Sequence, residues 1–281
     1  MTAPINPRAI EISISSGKHN IAISEIIIFS IVHVVQLTLR YIQEQRYWHH
    51  SKNKNPIRCI LYSWFSMSGL LAQIRIASSA MILSTSHPSE SILIAESSMQ
   101  SVGLSPLFVE VSFVLLRCGQ AGQYGPGNSK HSKTTRFWLH FFRLPVVISI
   151  ILAVVGGIIE IRPLGEAGTV ILVVMFALMC GLIAWLAANS RSNLPGAGYR
   201  GILVIAITLP FLLVRIIYFL LQEYGPSDFN PVTGNVGILA GMGLLMEIVI
   251  VSLLQTARAV VEPVQLAGEK RCVEEDNTEW S

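Results

Sequence analysis

Long runs of apolar residues, separated by short polar segments, are the main pattern along this chain. A helix that crosses the hydrocarbon layer of a membrane, roughly 30 Å thick, needs about 20 mostly apolar residues. The runs lack the alternating pattern of a membrane β-barrel. They therefore predict an all-α, polytopic membrane protein with seven transmembrane helices. The seven predicted spans cover residues 21–39, 58–83, 91–117, 138–161, 168–188, 201–222 and 234–260.

Spans two and three are the least apolar of the seven. Span two contains several serines, including Ser66, Ser78 and Ser79, and span three contains Glu96 and Gln100. Small polar residues in membrane helices usually face other helices. We therefore expect these two spans to lie inside the bundle.

Lysine and arginine are distributed unequally between the two sides of the predicted bundle. Most of them follow spans one, three, five and seven, whereas the opposite side holds Arg8, Lys18 and Arg162. Because basic loops stay on the cytosolic side, the N terminus is predicted outside and the C terminus in the cytosol. The predicted organisation is an extracytoplasmic segment, a membrane domain and a cytosolic tail, over residues 1–20, 21–261 and 262–281.

Composition agrees with a membrane location and excludes some partners. The chain is 52% hydrophobic and only 13% charged, against about 25% charged in average soluble proteins. Its net charge of +3 is small, and the basic residues cluster between helices instead of along one face, so nucleic acid is not an expected partner. The lipid bilayer is the expected environment. The sequence does not distinguish the endoplasmic reticulum from the plasma membrane, nor does it give the oligomeric state.

Ionisable side chains interrupt the apolar runs. A charge at the bilayer centre costs about 2.5 to 3.5 kcal/mol on insertion scales, so such residues are normally paired, turned inward or functional. Glu110 and Arg143 lie near the predicted cytosolic side and are expected to pair with each other. The full set is Glu25, Arg75, Glu96, Glu110, Arg143, Arg215 and Glu247.

Five of these charges fall between the outer boundary and the midplane, and two interpretations of them stay open. They form structural ion pairs, Arg75 with Glu96 and Arg215 with Glu247, or they line a polar cavity that opens outward. Glu25 and Glu96 also lie near enough to the boundary to reach lipid headgroups. Three carboxylates face two arginines, so one Glu is left over, and a Glu without a partner in hydrocarbon tends to stay neutral.

Local features indicate a site of defined shape near span six and the start of span seven. Pro210 removes a backbone donor and is expected to kink span six. The link 229–235 concentrates turn residues, with Asn230 as a candidate binding residue and Thr233 or Asn235 as a helix cap. This link is either an ordinary outer loop or a binding loop.

Span seven begins with closely spaced glycines. Gly237 and Gly241 form a GxxxG motif, and Gly243 follows. Such a motif allows the backbones of two membrane helices to approach closely. It predicts that span seven packs tightly against a neighbouring helix at these positions.

Several types of chemistry lack their motifs in this sequence. It contains no HExxH, no CxxC and no pair of histidines at helical spacing within a span, so neither a metal site nor a cofactor is expected. The predicted spans contain no lysine, which excludes a retinal Schiff base. Glycine-rich phosphate loops and the conserved triplets of rhodopsin-like receptors are also absent.

Four stretches carry a resemblance to a known family. They are Ser101-Val102-Gly103-Leu104-Ser105-Pro106-Leu107, Leu209-Pro210-Phe211-Leu212-Leu213-Val214-Arg215 with Tyr218, the link Phe229-Asn230-Pro231-Val232-Thr233-Gly234-Asn235, and Met246-Glu247. On these residues the chain resembles a family of fungal seven-span membrane proteins known as a domain of unknown function, over roughly residues 20–260. The resemblance implies the topology. Members of such families often accompany polyketide or meroterpenoid pathways, whose membrane-bound terpene cyclases are similar in size and topology but not in motif.

The first hypothesis is a membrane-bound cyclase or isomerase that acts on a prenylated, meroterpenoid-like intermediate. Opening an olefin or an epoxide needs a strong acid in a dry site. Glu247 would be the acid, Glu96 or Glu25 the base, and Arg75 and Arg215 would set their protonation. Aromatic faces would stabilise the cation. The substrate-binding set is Arg75, Arg215, Phe211, Tyr218, Phe219 and Asn230.

The second hypothesis is a non-enzymatic seven-span sensor. Its outer charges would bind a lipophilic small molecule, and its basic cytosolic loops would meet a partner or anionic lipid. A transporter is a third possibility, but the chain shows no repeated halves.

Overall fold

The described part of the chain is helical throughout and contains no strand. The structure is a computed structural model that describes residues 16–49, 56–64, 66–84, 92, 95–96, 99, 102–119, 130–159, 162–189, 191, 194, 196–229 and 234–261. This confirms the all-α class. The helices are α1 (Ser16–His49), α2 (Pro56–Trp64), α3 (Met67–Leu83), α4 (Leu104–Cys118), α5 (Lys133–Phe141), α6 (Arg143–Ile158), α7 (Arg162–Asn189), α8 (Gly196–Tyr224) and α9 (Val236–Val260).

Five helical segments in the described residues are long and apolar enough to cross a membrane. They correspond to predicted spans one, four, five, six and seven, and α5 and α6 together form one of them. These helices support a protein embedded in a membrane. The segments are Gly17–Gln45, Lys133–Leu152, Pro163–Asn189, Gly196–Gln222 and Val236–Val260.

Predicted spans two and three differ from the other five. The predicted span two is divided into two helices, α2 and α3. Ser66 is the N-cap residue of α3, because its Oγ accepts a hydrogen bond from the Gly69 backbone N–H at 2.9 Å. Helix α3 has 17 residues and α4 has 15, fewer than the about 20 residues of a typical membrane-crossing helix. Helical residues also precede α4, at Ile92, Ala95, Glu96, Met99 and Val102.

Helix α4 occupies the centre of the bundle. Eleven of its fifteen residues are buried, and it packs against α3, α6, α8 and α9. Phe108 of α4 lies 6.5 Å from the ring of Phe142 and 6.1 Å from the ring of Phe176, measured between ring centroids. Around this core, α1 packs against α3, α6 against α7, and α8 against α9.

Polar and apolar residues are distributed as expected for a bundle in lipid. On α3, Ser78 and Ser79 are buried, which agrees with the prediction that the serine-rich span faces other helices. The outer helices instead expose large apolar side chains. A water-soluble protein rarely exposes so much contiguous apolar surface. Examples are Ile27, Ile31 and Val34 on α1, Val170, Val174 and Leu178 on α7, and Ile207 and Leu213 on α8.

The glycines at the start of α9 do not form the predicted close contact. The segment Leu239–Leu245 is a π-helix. Among the described residues, a Cβ added at Gly241 would meet no atom within 4 Å. A Cβ added at Gly237 would meet only Oδ1 of Asn235, the residue that caps the same helix. Gly243 alone among the three faces a neighbour, with an added Cβ 3.4 Å from the Tyr218 ring. The GxxxG prediction was wrong because a π-helix, with its i→i+5 bonds, does not stack residues four apart on one face.

His131 is a buried histidine between α4 and α5. Its ring packs on Gly119, and its Nε2 lies 3.0 Å from the Leu115 carbonyl oxygen. Burial, with a smaller contribution from Arg136, lowers the pKa of His131 from its usual 6.5, against the raising effect of the Leu115 hydrogen bond. The unfolded chain therefore binds the proton more readily than the folded one. We expect stability to fall as the pH drops below 6.5 towards the lowered pKa.

Thermal unfolding of the purified full-length protein between pH 5 and 8 measures this effect. The variant His131→Gln should flatten the part of the pH curve below pH 6.5. Parallel curves for the wild type and the variant would show that His131 does not contribute.

Candidate functional site

Glu247 of α9 lies at the centre of a buried ion-pair network. The Nε of Arg75 donates to Oε1 of Glu247 at 2.9 Å, and its Nη2 donates to Oε2. The Nη2 of Arg215 lies 3.5 Å from the same Oε2. One carboxylate therefore binds two guanidinium groups, from α3 and α8. Arg215 thus contacts Glu247 as predicted. Arg75, for which Glu96 was the predicted partner, makes a two-point contact with Glu247.

The burial of this network makes each partner dependent on the others. Glu247 is 0% exposed, Arg75 3% and Arg215 2%. A two-point contact between a guanidinium and a carboxylate fixes both groups in direction as well as distance. The network consequently ties three helices together at one point.

Glu25 joins the same network from α1. The Ser79 hydroxyl on α3 donates to Oε2 of Glu25 at 2.5 Å. Glu25 is buried and interacts electrostatically with Arg75, Arg215 and Glu247. The contribution of Ser79 was not predicted, although its position one turn after Arg75 on α3 is visible in the sequence.

Glu96 and Lys18 lie beside these residues. Glu96 is buried and interacts electrostatically with Lys18, Glu25 and Arg75. Lys18 was predicted only as a marker of orientation. It lies seven residues, or two turns, before Glu25, which places both on one face of α1. We call the group Glu25, Arg75, Glu96, Arg215 and Glu247 the buried charge cluster.

The three candidate aromatic residues lie in different surroundings. The guanidinium carbon of Arg215 is 5.3 Å from the centre of the Tyr218 ring, a cation–π contact. Phe219 is buried in the apolar core, and Phe211 is partly buried against it. Of the three, Tyr218 is therefore the one that the structure brings to the buried charge cluster.

The predicted pair of Glu110 with Arg143 is wrong. Oε1 of Glu110 binds Nη2 of Arg258 at 2.7 Å. Arg143 donates from Nε to the Ser112 hydroxyl at 2.7 Å and stacks over the Phe113 ring, 3.9 Å from its centre. Depth along a span predicted that Glu110 and Arg143 lie near the same side of the membrane. It could not show that Arg258, placed at the end of span seven, reaches back into the bundle.

Part of the predicted binding loop lies outside the described residues. This part includes Asn230 and Thr233. Asn235 is described, and its side chain accepts a hydrogen bond from the Gly237 backbone N–H at 2.8 Å. Of the two residues predicted as helix caps, Asn235 therefore caps the start of α9.

The cluster is suited to binding charge. Glu247 contacts two guanidinium groups, so an anion that displaced its side chain would meet both arginines. In the described ranges, no group of three or more His, Cys, Asp or Glu side chains is placed to hold a metal ion. The catalytic roles assigned to Glu247, Glu96 and Glu25 stay predictions.

Gly103 lies against the ion pair and was not predicted as a site residue. A Cβ at this position would lie 3.1 Å from Nη2 of Arg75 and 3.3 Å from both Oε1 of Glu247 and Cδ1 of Leu71. We expect Gly103→Ala to displace the pair by a few tenths of an ångström and to lower stability by about 1 kcal/mol. Thermal unfolding of the full-length protein measures this loss of stability. Gly241→Ala is the matched control, because a Cβ there meets no atom of the described residues within 4 Å. Equal melting temperatures for the two variants would contradict the contact.

Comparison with known families gives one match. Residues 16–259 match the family described as Domain of unknown function (DUF7702). The chain belongs to this family. The match confirms the resemblance to a family of unknown function over nearly the predicted range, and every residue of the buried charge cluster lies within it. No curated protein and no solved structure matches the chain.

Proposed function

We propose that this member of the family is a seven-span sensor in which a small lipophilic molecule with an anionic group binds at the buried charge cluster. The observation that carries the proposal is the sharing of Glu247 between Arg75 and Arg215. A bound anion would compete with Glu247 for a guanidinium group. Its binding would change the contacts among α3, α8 and α9.

Two features of the network favour a ligand-dependent rearrangement of the ion pairs over a purely structural role. The contact of Arg215 with Glu247, at 3.5 Å, is longer than the 2.9 Å contact from Nε of Arg75, so Arg215 is the partner more easily taken over by a ligand. Glu247 also lies two residues after the end of the π-helix Leu239–Leu245, and π-bulges occur frequently at functional sites. A ligand shifts a conformational equilibrium only if it binds the two conformations with different affinities. A conformation in which Arg215 has left Glu247 would bind an anion more tightly than one in which the two are in contact.

The second candidate function is a membrane-bound cyclase or isomerase of secondary metabolism, with a prenylated substrate. It is favoured by Glu25, which is buried and accepts its described hydrogen bond from a neutral hydroxyl, that of Ser79. In this second candidate function Glu25 is a possible acid besides Glu247. Tyr218 beside Arg215 would be the aromatic residue nearest to the reaction.

The seven spans and the orientation are part of the proposal. Helices α3 and α4, with the helical residues that precede α4, would form spans two and three. The basic residues Arg40, Arg117 and Arg258 lie near the ends of α1, α4 and α9 and line one cleft, which supports a common basic side. An N-terminal tag should be accessible to antibody on intact cells and a C-terminal tag only after permeabilisation. The reverse result would contradict the orientation.

Sensor and enzyme are distinguished by metabolite profiles of the source organism. The variants are Arg215→Lys, Glu25→Gln and, as a control, Glu166→Gln on the exposed face of α7, each compared at equal protein level. A sensor predicts that Arg215→Lys alters the transcriptional response to organic extracts while the metabolites stay unchanged. Loss of one product and accumulation of its precursor in Glu25→Gln would contradict the sensor and support the cyclase.

A further inference from the structure

Basic side chains form a stripe along α5 and the start of α6. They follow one another at intervals of three, four and three residues, and residues three or four apart lie on one face of a helix. Phe142, which joins α5 to α6, has helical dihedral angles, φ −54° and ψ −33°, so the stripe continues from one helix to the next. We call Lys133, Arg136, His140 and Arg143 the basic stripe.

The other two faces of this helical segment differ from the basic stripe. One face is buried against the bundle and holds Thr135, Leu139 and Phe142. The other exposes apolar side chains, those of Phe137, Phe141 and Leu144. The basic stripe and the exposed apolar face are adjacent on the helix, so a molecule with an anionic head and an apolar chain would contact both.

Arg143 is held in place by neutral groups. Its Nε donates to the Ser112 hydroxyl at 2.7 Å, and its guanidinium carbon lies 3.9 Å from the centre of the Phe113 ring. Its Nη1 donates to Nδ1 of the exposed His140 at 3.3 Å. Its Nη2 is buried and has no hydrogen-bond partner in the described part of the chain. These contacts fix the guanidinium group but do not balance its charge.

The rest of the basic stripe also lacks acidic partners. Among the described residues, no carboxylate forms a salt bridge with Lys133, Arg136 or Arg143. His140 interacts electrostatically with Arg136 and Arg143, and both repel its protonated form. The fold therefore holds several positive charges on one face, and an anion bound there would reduce the repulsion between them.

Exposed aromatic side chains place the basic stripe at the level of the lipid headgroups. The rings of Phe137 and Phe141 stack with their centroids 6.0 Å apart, and Trp138 lies edge-on to Phe141 at 5.9 Å. Aromatic residues are enriched at membrane–water interfaces. Arg143 lies about 4.5 Å further along the helix than His140, and a long arginine side chain can extend back to the headgroups. Beyond it, α6 exposes only apolar side chains up to Ile151.

We propose that the basic stripe binds the headgroup of an anionic phospholipid, with Arg136 and Arg143 as the residues that contact its phosphate. Guanidinium groups match the geometry of phosphate oxygens through paired hydrogen bonds. The acyl chains of the same lipid lie along Phe137, Phe141 and Leu144. The site uses none of the residues of the buried charge cluster, so the inference does not depend on the sensor proposal.

Native mass spectrometry of the purified full-length protein in detergent tests this site. The wild type, Arg136→Gln and the control Arg191→Gln, which removes an exposed arginine outside the basic stripe, are each mixed with phosphatidylserine or with phosphatidylcholine. We expect Arg136→Gln to bind phosphatidylserine about fivefold more weakly than the wild type, the contribution of one basic residue near anionic lipid. Arg191→Gln should behave like the wild type, and phosphatidylcholine should bind all three proteins equally.

A second variant separates paired hydrogen bonding from charge alone. Arg143→Lys keeps the charge and loses the planar fork, so it should bind phosphatidylserine more weakly than the wild type but more tightly than Arg136→Gln. Equal binding of phosphatidylserine and phosphatidylcholine by the wild type overturns the proposal, as does equal binding of phosphatidylserine by the wild type and Arg136→Gln, or an equal loss in Arg191→Gln. If Arg136→Gln does not fold, Lys133→Gln, at the exposed end of the stripe, replaces it with the same expected loss.

Discussion

Replacing Glu247 with glutamine should lower the free energy of unfolding by about 3 to 5 kcal/mol, the usual cost of removing one partner of a buried ion pair. The variant leaves Arg75 and Arg215, both almost fully buried, as positive charges with no carboxylate between them. The amide still accepts one hydrogen bond but carries no charge. Unfolding of the full-length protein in mixed detergent micelles measures the loss.

Two further variants separate the ion pair from a general loss of charge. Glu166→Gln removes a carboxylate from the exposed face of α7 and should change stability by less than about 0.5 kcal/mol. The double variant Glu247→Gln with Arg215→Gln removes one of the two guanidinium charges that lose the Glu247 carboxylate, and it should recover part of the stability. A loss in Glu247→Gln no larger than in Glu166→Gln would mean that the network contributes little.

The length of the apolar runs was sufficient to predict most of the fold. Helices α1, α7, α8 and α9 and the joined α5 and α6 lie where hydropathy places them, because the bilayer length requirement is a property of composition. The interruption at Ser66 was less visible, since one serine in an apolar run does not normally end a helix. There it caps α3 through its contact with Gly69.

The partners of the buried charges were harder to predict than the charges themselves. Composition identified Arg75 and Glu247 as residues that need partners, but 172 positions separate them in the chain. Depth along a helix follows from counting residues, whereas the face that each residue presents depends on how helices rotate and pack. The π-helix before Glu247 changes that rotation and has no clear sequence signal.

A close approach between two helices predicts a second large effect, at Gly156 of α6. A Cβ at this position would lie 2.4 Å from the backbone nitrogen of Gly165 on α7 and 2.9 Å from its Cα. Because these are backbone atoms, no side chain can rotate away, and α6 and α7 must separate. We expect Gly156→Ala to cost about 3 kcal/mol, at the upper end of the usual range for overpacking. Thermal unfolding of the purified protein in detergent gives the measurement.

Gly181 of α7 offers the matched control, since a Cβ there meets no atom of the described residues within 4 Å. Gly181→Ala should leave stability unchanged or raise it by about 0.5 to 1 kcal/mol, because alanine loses less backbone entropy than glycine in a helix. The same chemical change would thus have opposite signs on two helices that pack together. If both variants melt like the wild type, the close approach at Gly156 is not part of the folded protein, and small-residue packing does not hold α6 against α7.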